Sequence, residues 1–174
     1  MEGFLNYGGM AGRDMEAVAR GMRESCENEY LVKHYLSQVG YLHGELKNAG
    51  IPVVEPAGAH AVFLDAKKFY PHIPQEEFPA QTLTAEIYIE GGVRTMERGI
   101  ISGQHGDEPY DGLELVRVTI PRRVYELSHL MYVADIIRRV WNTTADVKGL
   151  KMTYQPPSLR FFQARFERIK GGRP

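Results

Sequence analysis

From about Asp14 to Lys47 the apolar residues Met15, Val18, Met22, Cys26, Val32, Tyr35, Leu36, Val39, Leu42 and Leu46 recur mostly three or four apart, the period of a helix with one apolar face. This predicts one long helix, with Gly40 as the point where it would break. At about 1.5 Å per residue it would run roughly 50 Å, more than a small domain needs to cover its own sheet, and a helix of that length suits a bridge between domains. Asn48, Ala49 and Gly50 followed by Pro52 supply its stop, since glycine accepts a left-handed cap and proline cannot continue a helix. Short strands are predicted at Val53 to Glu55 and Ala61 to Asp65, on either side of a turn through Pro56, Gly58, Ala59 and His60.

Pro79 suits the first turn of a helix over Ala80 to Glu90, closed by Gly91 and Gly92. Strands follow at Val93 to Glu97 and Glu114 to Ile120. In the second, Val116, Val118 and Ile120 alternate with Leu115, Arg117 and Thr119, so Arg117 shares a face with a leucine and a threonine and would want an anion. Leu127, Leu130, Met131, Ala134, Ile137 and Trp141 mark another amphipathic helix. Lys151 to Tyr154 and Leu159 to Phe166 look extended, and 171–174 is polar enough to be a disordered tail. The order of elements gives an α+β class, a small mixed sheet packed with helices behind a long N-terminal linking helix. The expected division is 1–50 for the linking segment and 51–170 for the small domain.

With 174 residues, 43% hydrophobic and 25% charged, the chain can bury one sizeable core. Its net charge of -1 and the absence of any basic run longer than two residues argue against a nucleic-acid footprint. Cys26 alone allows no internal disulfide and fits a reducing compartment. No apolar run reaches the roughly 18 to 20 residues of a membrane span, and no signal pattern opens the chain, so a cytoplasmic protein without a membrane partner is expected. Phosphate-loop, dinucleotide, nucleophile-elbow and zincin motifs are missing. The six histidines lack metal-ligand spacing, and His34 and His43, nine apart, are read as structural.

Longer stretches are more specific. Tyr7 to Glu16, His60 to Ala66, Tyr70 to Pro74, Phe78 to Gln81, Val116 to Arg122 and Leu159 to Phe162 together resemble the C-terminal part of the tryptophanase and tyrosine phenol-lyase family, over roughly residues 2 to 169. The resemblance implies the C-terminal domain of a fold-type I pyridoxal-phosphate enzyme that eliminates the side chain of an aromatic amino acid. It also implies a homotetramer activated by a monovalent cation such as potassium.

Within that family the triplet Met96-Glu97-Arg98 is similar to the phenol-lyase branch, where tryptophanases carry an apolar residue in place of the arginine. A guanidinium can hold and polarise a phenolic hydroxyl, a group that indole lacks. The pair Phe161-Phe162 points the same way. By resemblance, Arg117 clamps the substrate α-carboxylate through two parallel bonds, Arg98 acts on the leaving phenol, and Met96, Phe161 and Phe162 enclose the ring. His60 supports the site from behind. Arg94, Arg122 and Arg123 are read as structural or left unassigned.

The chain departs from the family at Ala59, where a glycine is usual and a positive φ would strain an added methyl, and at Asn6, with a shorter loop at 104–112. Lys33, Lys47, Lys67, Lys68, Lys148, Lys151 and Lys170 match no Schiff-base position, so the cofactor-binding part is expected upstream of Met1. Tryptophanase remains the near alternative. A non-catalytic remnant, or half of a split enzyme that binds its other half, is the alternative of another class.

Overall fold

The computed structural model describes residues 9–102 and 112–171. The expected shorter loop at 104–112, apart from Gly112, and the expected disordered tail at 171–174, apart from Gly171, lie outside these residues, as do Asn6, Tyr7 and Gly8. The long helix predicted at the start is two helices, α1 (Gly12–Glu27) and α2 (Glu29–Asn48). The break falls at Asn28, with φ -100° and ψ 83°, and not at Gly40. Asparagine competes for backbone hydrogen bonds and favours helix ends, whereas Gly40 lies where packing on the core carries the helix through. No residue of α1 is buried, while α2 buries Val39, Leu42, His43 and Leu46 along one face. Gly50 takes φ 75°, and its neighbour Ile51 donates back to the Leu46 carbonyl at 3.1 Å, closing the predicted stop.

The segment Val53 to Glu55 shrinks to a single bridge, Val53 to Leu64, because Pro52 and Pro56 on its flanks have no N–H to pair. β1 (Ala61–Asp65) runs as predicted. A short helix, α3 (Ala66–Phe69), follows without a break, its start capped by the Asp65 carboxylate accepting from the Lys68 amide. α4 (Pro79–Gly91) has Pro79 in its first turn and ends at Gly92, φ 65°. β2 (Met96–Arg98) begins later than predicted, and β3 (Leu115–Thr119) falls inside its predicted span. α5 (Leu127–Asn142) opens on a reciprocal cap between Glu126 and His129. The chain closes with β4 (Leu150–Tyr154), α6 (Arg160–Gln163) and β5 (Arg165–Arg168).

The α+β class holds, with one detail changed. The main sheet, in the order β1-β3-β2, and the β4-β5 ribbon contain only antiparallel pairs among the described residues, where a mixed sheet was expected. Val62, Leu64, Val116 and Val118 turn one face of the main sheet into a core shared with Leu42 and Leu46 of α2, Leu83 and Ile87 of α4, and Ile136 and Ile137 of α5. Each such side chain contributes about 1.5–3 kcal/mol when removed from water. The opposite face of the sheet is left for other work.

Candidate functional site

Side chains alternate along a strand and residues directly opposite share a face. Arg117 stands opposite Phe63 on β1 and Met96 on β2, and Arg98 stands opposite Leu115. Phe63, Met96, Arg98, Leu115, Arg117 and Thr119 therefore occupy the face turned away from the core. Glu97 takes the other face and is 1% exposed. It is not the ion-pair partner of Arg98 that adjacency in sequence suggests.

Arg117 is half-buried. Its Nη2 lies 2.7 Å from Met96 Sδ, its Nε is buried without a hydrogen-bond partner, and no carboxylate among the described residues is within 4.0 Å. Thioether sulfur is a weak acceptor, so among the described residues this fork meets no strong acceptor. A carboxylate is the ligand that fits its planar geometry. Met96, expected to line a ring pocket, thus also touches the expected carboxylate clamp. Arg98, at the exposed end of β2, has no ion-pair partner among the described residues.

Of the stretch Leu159 to Phe166, expected to be extended, only Arg165 and Phe166 lie in a strand, β5. Leu159 takes φ 56° and its carbonyl accepts from the amides of Phe162 and Gln163, making α6 a single helical turn. Pro156 and Pro157 just before it lack the N–H groups that a longer strand would need. Phe161 and Phe162 are accordingly not on opposite faces of a strand. Their rings meet edge to face at 5.0 Å between centroids, with Phe162 75% exposed. Arg160, which sequence reasoning passed over, donates to the Ile100 carbonyl at 2.5 Å and tethers this turn two residues beyond Arg98. No short-range pattern could have signalled a contact across sixty residues.

His60 is exposed, its ring edge-on to Phe63 at 6.2 Å, and Phe63 is the residue opposite Arg117. Ala59 is not among the described non-glycine residues with positive φ, which are Phe78, Arg123 and Leu159, so the feared strain is absent. Gly58 is the residue that needs to be small, since a Cβ there would come 3.0 Å from the Ala61 carbonyl. His43 is buried, with its Nε2 3.1 Å from the Val54 carbonyl oxygen. Elsewhere, a cleft of about 550 Å³ between the α1-α2 junction and residues 122–126 contains none of the expected site residues. Arg122 there stacks over Tyr35.

No family model matches the chain. Curated relatives do. The tyrosine phenol-lyase of Pasteurella multocida is 58% identical over 170 residues, 95% of this chain and 37% of that protein. Those of Fusobacterium nucleatum (57% identical, 95% and 36%) and Symbiobacterium sp. (54%, 97% and 37%) agree. The chain is homologous to part of the tyrosine phenol-lyases. It spans a little over a third of the length of these relatives, in their C-terminal portion. Their shared name weighs against the tryptophanase alternative. A solved aromatic aminotransferase from Pyrococcus horikoshii superposes over 76% of this chain and 28% of its own, at 17% identity and a TM-score of 0.45, too loosely to define the fold further.

A tyrosine phenol-lyase relationship implies pyridoxal phosphate, and the residues present do not fit that group. All seven lysines are exposed. Lys33, Lys47 and Lys68 are engaged by Glu29, Glu55 and Asp65, and Lys67 reaches the Gly112 carbonyl. None stands on the sheet face of Arg117. Among the described residues no group of three or more His, Cys, Asp or Glu could hold a metal ion.

The buried pair Glu97 and Glu114 was also missed as a feature. Its signal was present, since the alternation that puts Met96 and Arg98 outward puts Glu97 inward. Burial, reinforced by the nearby Glu114, pushes Glu97 up to about 7 against the pull of the Ile101 amide.

Proposed function

We propose that this chain is the substrate-recognising portion of a pyridoxal-phosphate enzyme that converts L-tyrosine and water to phenol, pyruvate and ammonia. The observation that carries the reading is the guanidinium of Arg117, half-buried with no carboxylate against it among the described residues, on the same sheet face as Arg98, which has no ion-pair partner among those residues. Arg117 would take the α-carboxylate through paired bonds and so orient the amino acid at the sheet. Arg98, farther along that face, would donate to the phenolic oxygen and stabilise the charge that develops there as the ring departs. Met96 with Phe161 and Phe162 would enclose the ring and exclude water, and His60 would hold Phe63 from behind.

The cofactor supplies the electron sink for Cα chemistry when bound, and residues outside this chain would hold it. Residues 1–50 would form the link to that part, with 51–170 as the small domain. The homotetramer and the potassium-type activation implied by the family, and the cytoplasmic setting expected from the sequence, would belong to the complete enzyme. A second reading, half of a split enzyme that binds its other half, accounts equally for α1, which buries nothing and exposes Met15, Val18 and Met22. Both readings give the helix the same occupant.

The test grafts these residues in place of the matching portion of the Pasteurella multocida relative and measures products. Phenol released from L-tyrosine, with no indole from L-tryptophan, is the expected result. A soluble, cofactor-loaded graft that releases indole and not phenol would overturn the substrate assignment.

A further inference from the structure

Behind Arg98 lies an arrangement that substrate binding does not use. Glu97 and Glu114 are each 1% exposed and flank Gly99, where an added methyl would run into both carboxyls. Glu97 Oε1 accepts from the Ile101 amide at 3.1 Å. Glu114 Oε1 accepts from the Ile100 amide at 2.9 Å and from Gln75 Nε2 at 3.2 Å. The remaining oxygen of each, Oε2, is buried and has no donor. No Lys, Arg or His among the described residues lies within 4.0 Å of either carboxyl.

Two carboxylates in one dry site cannot both ionise cheaply. A single proton relieves the repulsion and supplies the donor that the unsatisfied oxygens lack. We propose that Glu97 and Glu114 share one proton and together act as a positioning pair, clamping the turn 99–102 by its amides and so fixing the strand end that carries Arg98. The same turn presents the Ile100 carbonyl that holds Arg160, so the pair also sets where α6 and its two phenylalanines stand.

The charged groups on the elements that touch the pair include Glu76 and Glu77 beside Gln75, Arg160 at the Ile100 carbonyl, and Asp65 beside Ala66, whose amide donates to the Glu114 carbonyl. Arg117 on β3 points to the opposite face, and Gln75 is neutral. On α4, which packs against β2, the charged residues are Glu86, engaged by Arg168, and Glu90. The raised ionisation of Glu97 is in keeping with the arrangement. The importance of this pair for catalysis rests on the role proposed for Arg98, whereas its existence does not.

The experiment therefore needs no turnover. The 174-residue chain, labelled with 13C at glutamate carboxyls and 15N at arginine side chains, is titrated by NMR. One carboxyl of the pair is expected to stay protonated until about pH 7, and the Arg98 Nε and the Ile100 and Ile101 amides to shift with the same midpoint. Glu97→Gln, which mimics the protonated acid, should hold the Arg98 signal near its acidic position at every pH. Glu114→Gln should move the Glu97 midpoint down. If all glutamates titrate together near 4.5, or if Arg98 ignores a titration that occurs at Glu97, the proposal fails. The wild-type titration decides this even if a variant does not fold. A graft that made no phenol would sink the Arg98 reading and leave these signals unchanged.

Discussion

Arg117 is the residue whose chemistry was most legible in the sequence. Strand alternation put it on the face of Leu115 and Thr119, and the structure leaves its guanidinium half-buried without a carboxylate among the described residues. What alternation could not give is that Met96 lies against it, because that contact depends on the register of a strand twenty-one residues away. Replacing Arg117 by Lys keeps the charge and loses the paired bonds. In the grafted enzyme this substitution is expected to raise KM for L-tyrosine by about ten-fold or more, as loss of one charge-assisted bond implies, with steady-state kinetics as the readout. An unchanged KM would show that the carboxylate binds elsewhere. Gly99 makes a second prediction at this scale. Its alanine variant has to displace one of two buried carboxyls, so Gly99→Ala should cost about 1–3 kcal/mol, measured as a lowered urea midpoint.

At the scale of elements, the helices announced themselves through period and punctuation: Pro79 opens α4, Gly92 closes it, and Gly50 stops α2. The failures have local causes. Asn28, and not Gly40, breaks the first helix: α1 before it buries no residue, while α2 buries Val39, Leu42, His43 and Leu46 on both sides of Gly40. α6 interrupts a stretch, Leu159 to Phe166, whose apolar residues look extended, and a left-handed Leu159 that turns the chain leaves no trace in composition. This turn depends on its tether. Arg160→Ala removes the bond to the Ile100 carbonyl, and amide hydrogen exchange at Phe161, Phe162 and Gln163 is expected to speed up about ten-fold, equivalent to roughly 1.4 kcal/mol of local protection. Equal protection in the variant would mean that α6 is held by other contacts.

For the whole molecule, the α+β class and the single core followed from patterning, while the pairing of strands across the chain and the burial of two carboxyls did not. That burial sets how stability varies with pH. Glu97 is raised in the folded state from 4.5 to about 7, so its contribution is fully present below about 4.5 and is lost as pH rises through about 7. At 1.36 kcal/mol per unit the loss is about 3 kcal/mol, visible as a falling urea midpoint between pH 5 and 8. Glu55, held low by Lys47, works in the opposite sense at more acidic pH, and as an exposed pair it adds little. The division of labour between the two arginines is best tested in the graft, with L-tyrosine set against β-chloro-L-alanine, whose leaving group has no ring hydroxyl. Arg98→Met should cut phenol release from tyrosine by about 100-fold or more, the usual cost of losing a donor at developing negative charge, and leave turnover of the chloro compound nearly unchanged. Equal losses on both substrates, or none on tyrosine, would contradict the assignment of Arg98 to the phenolic oxygen.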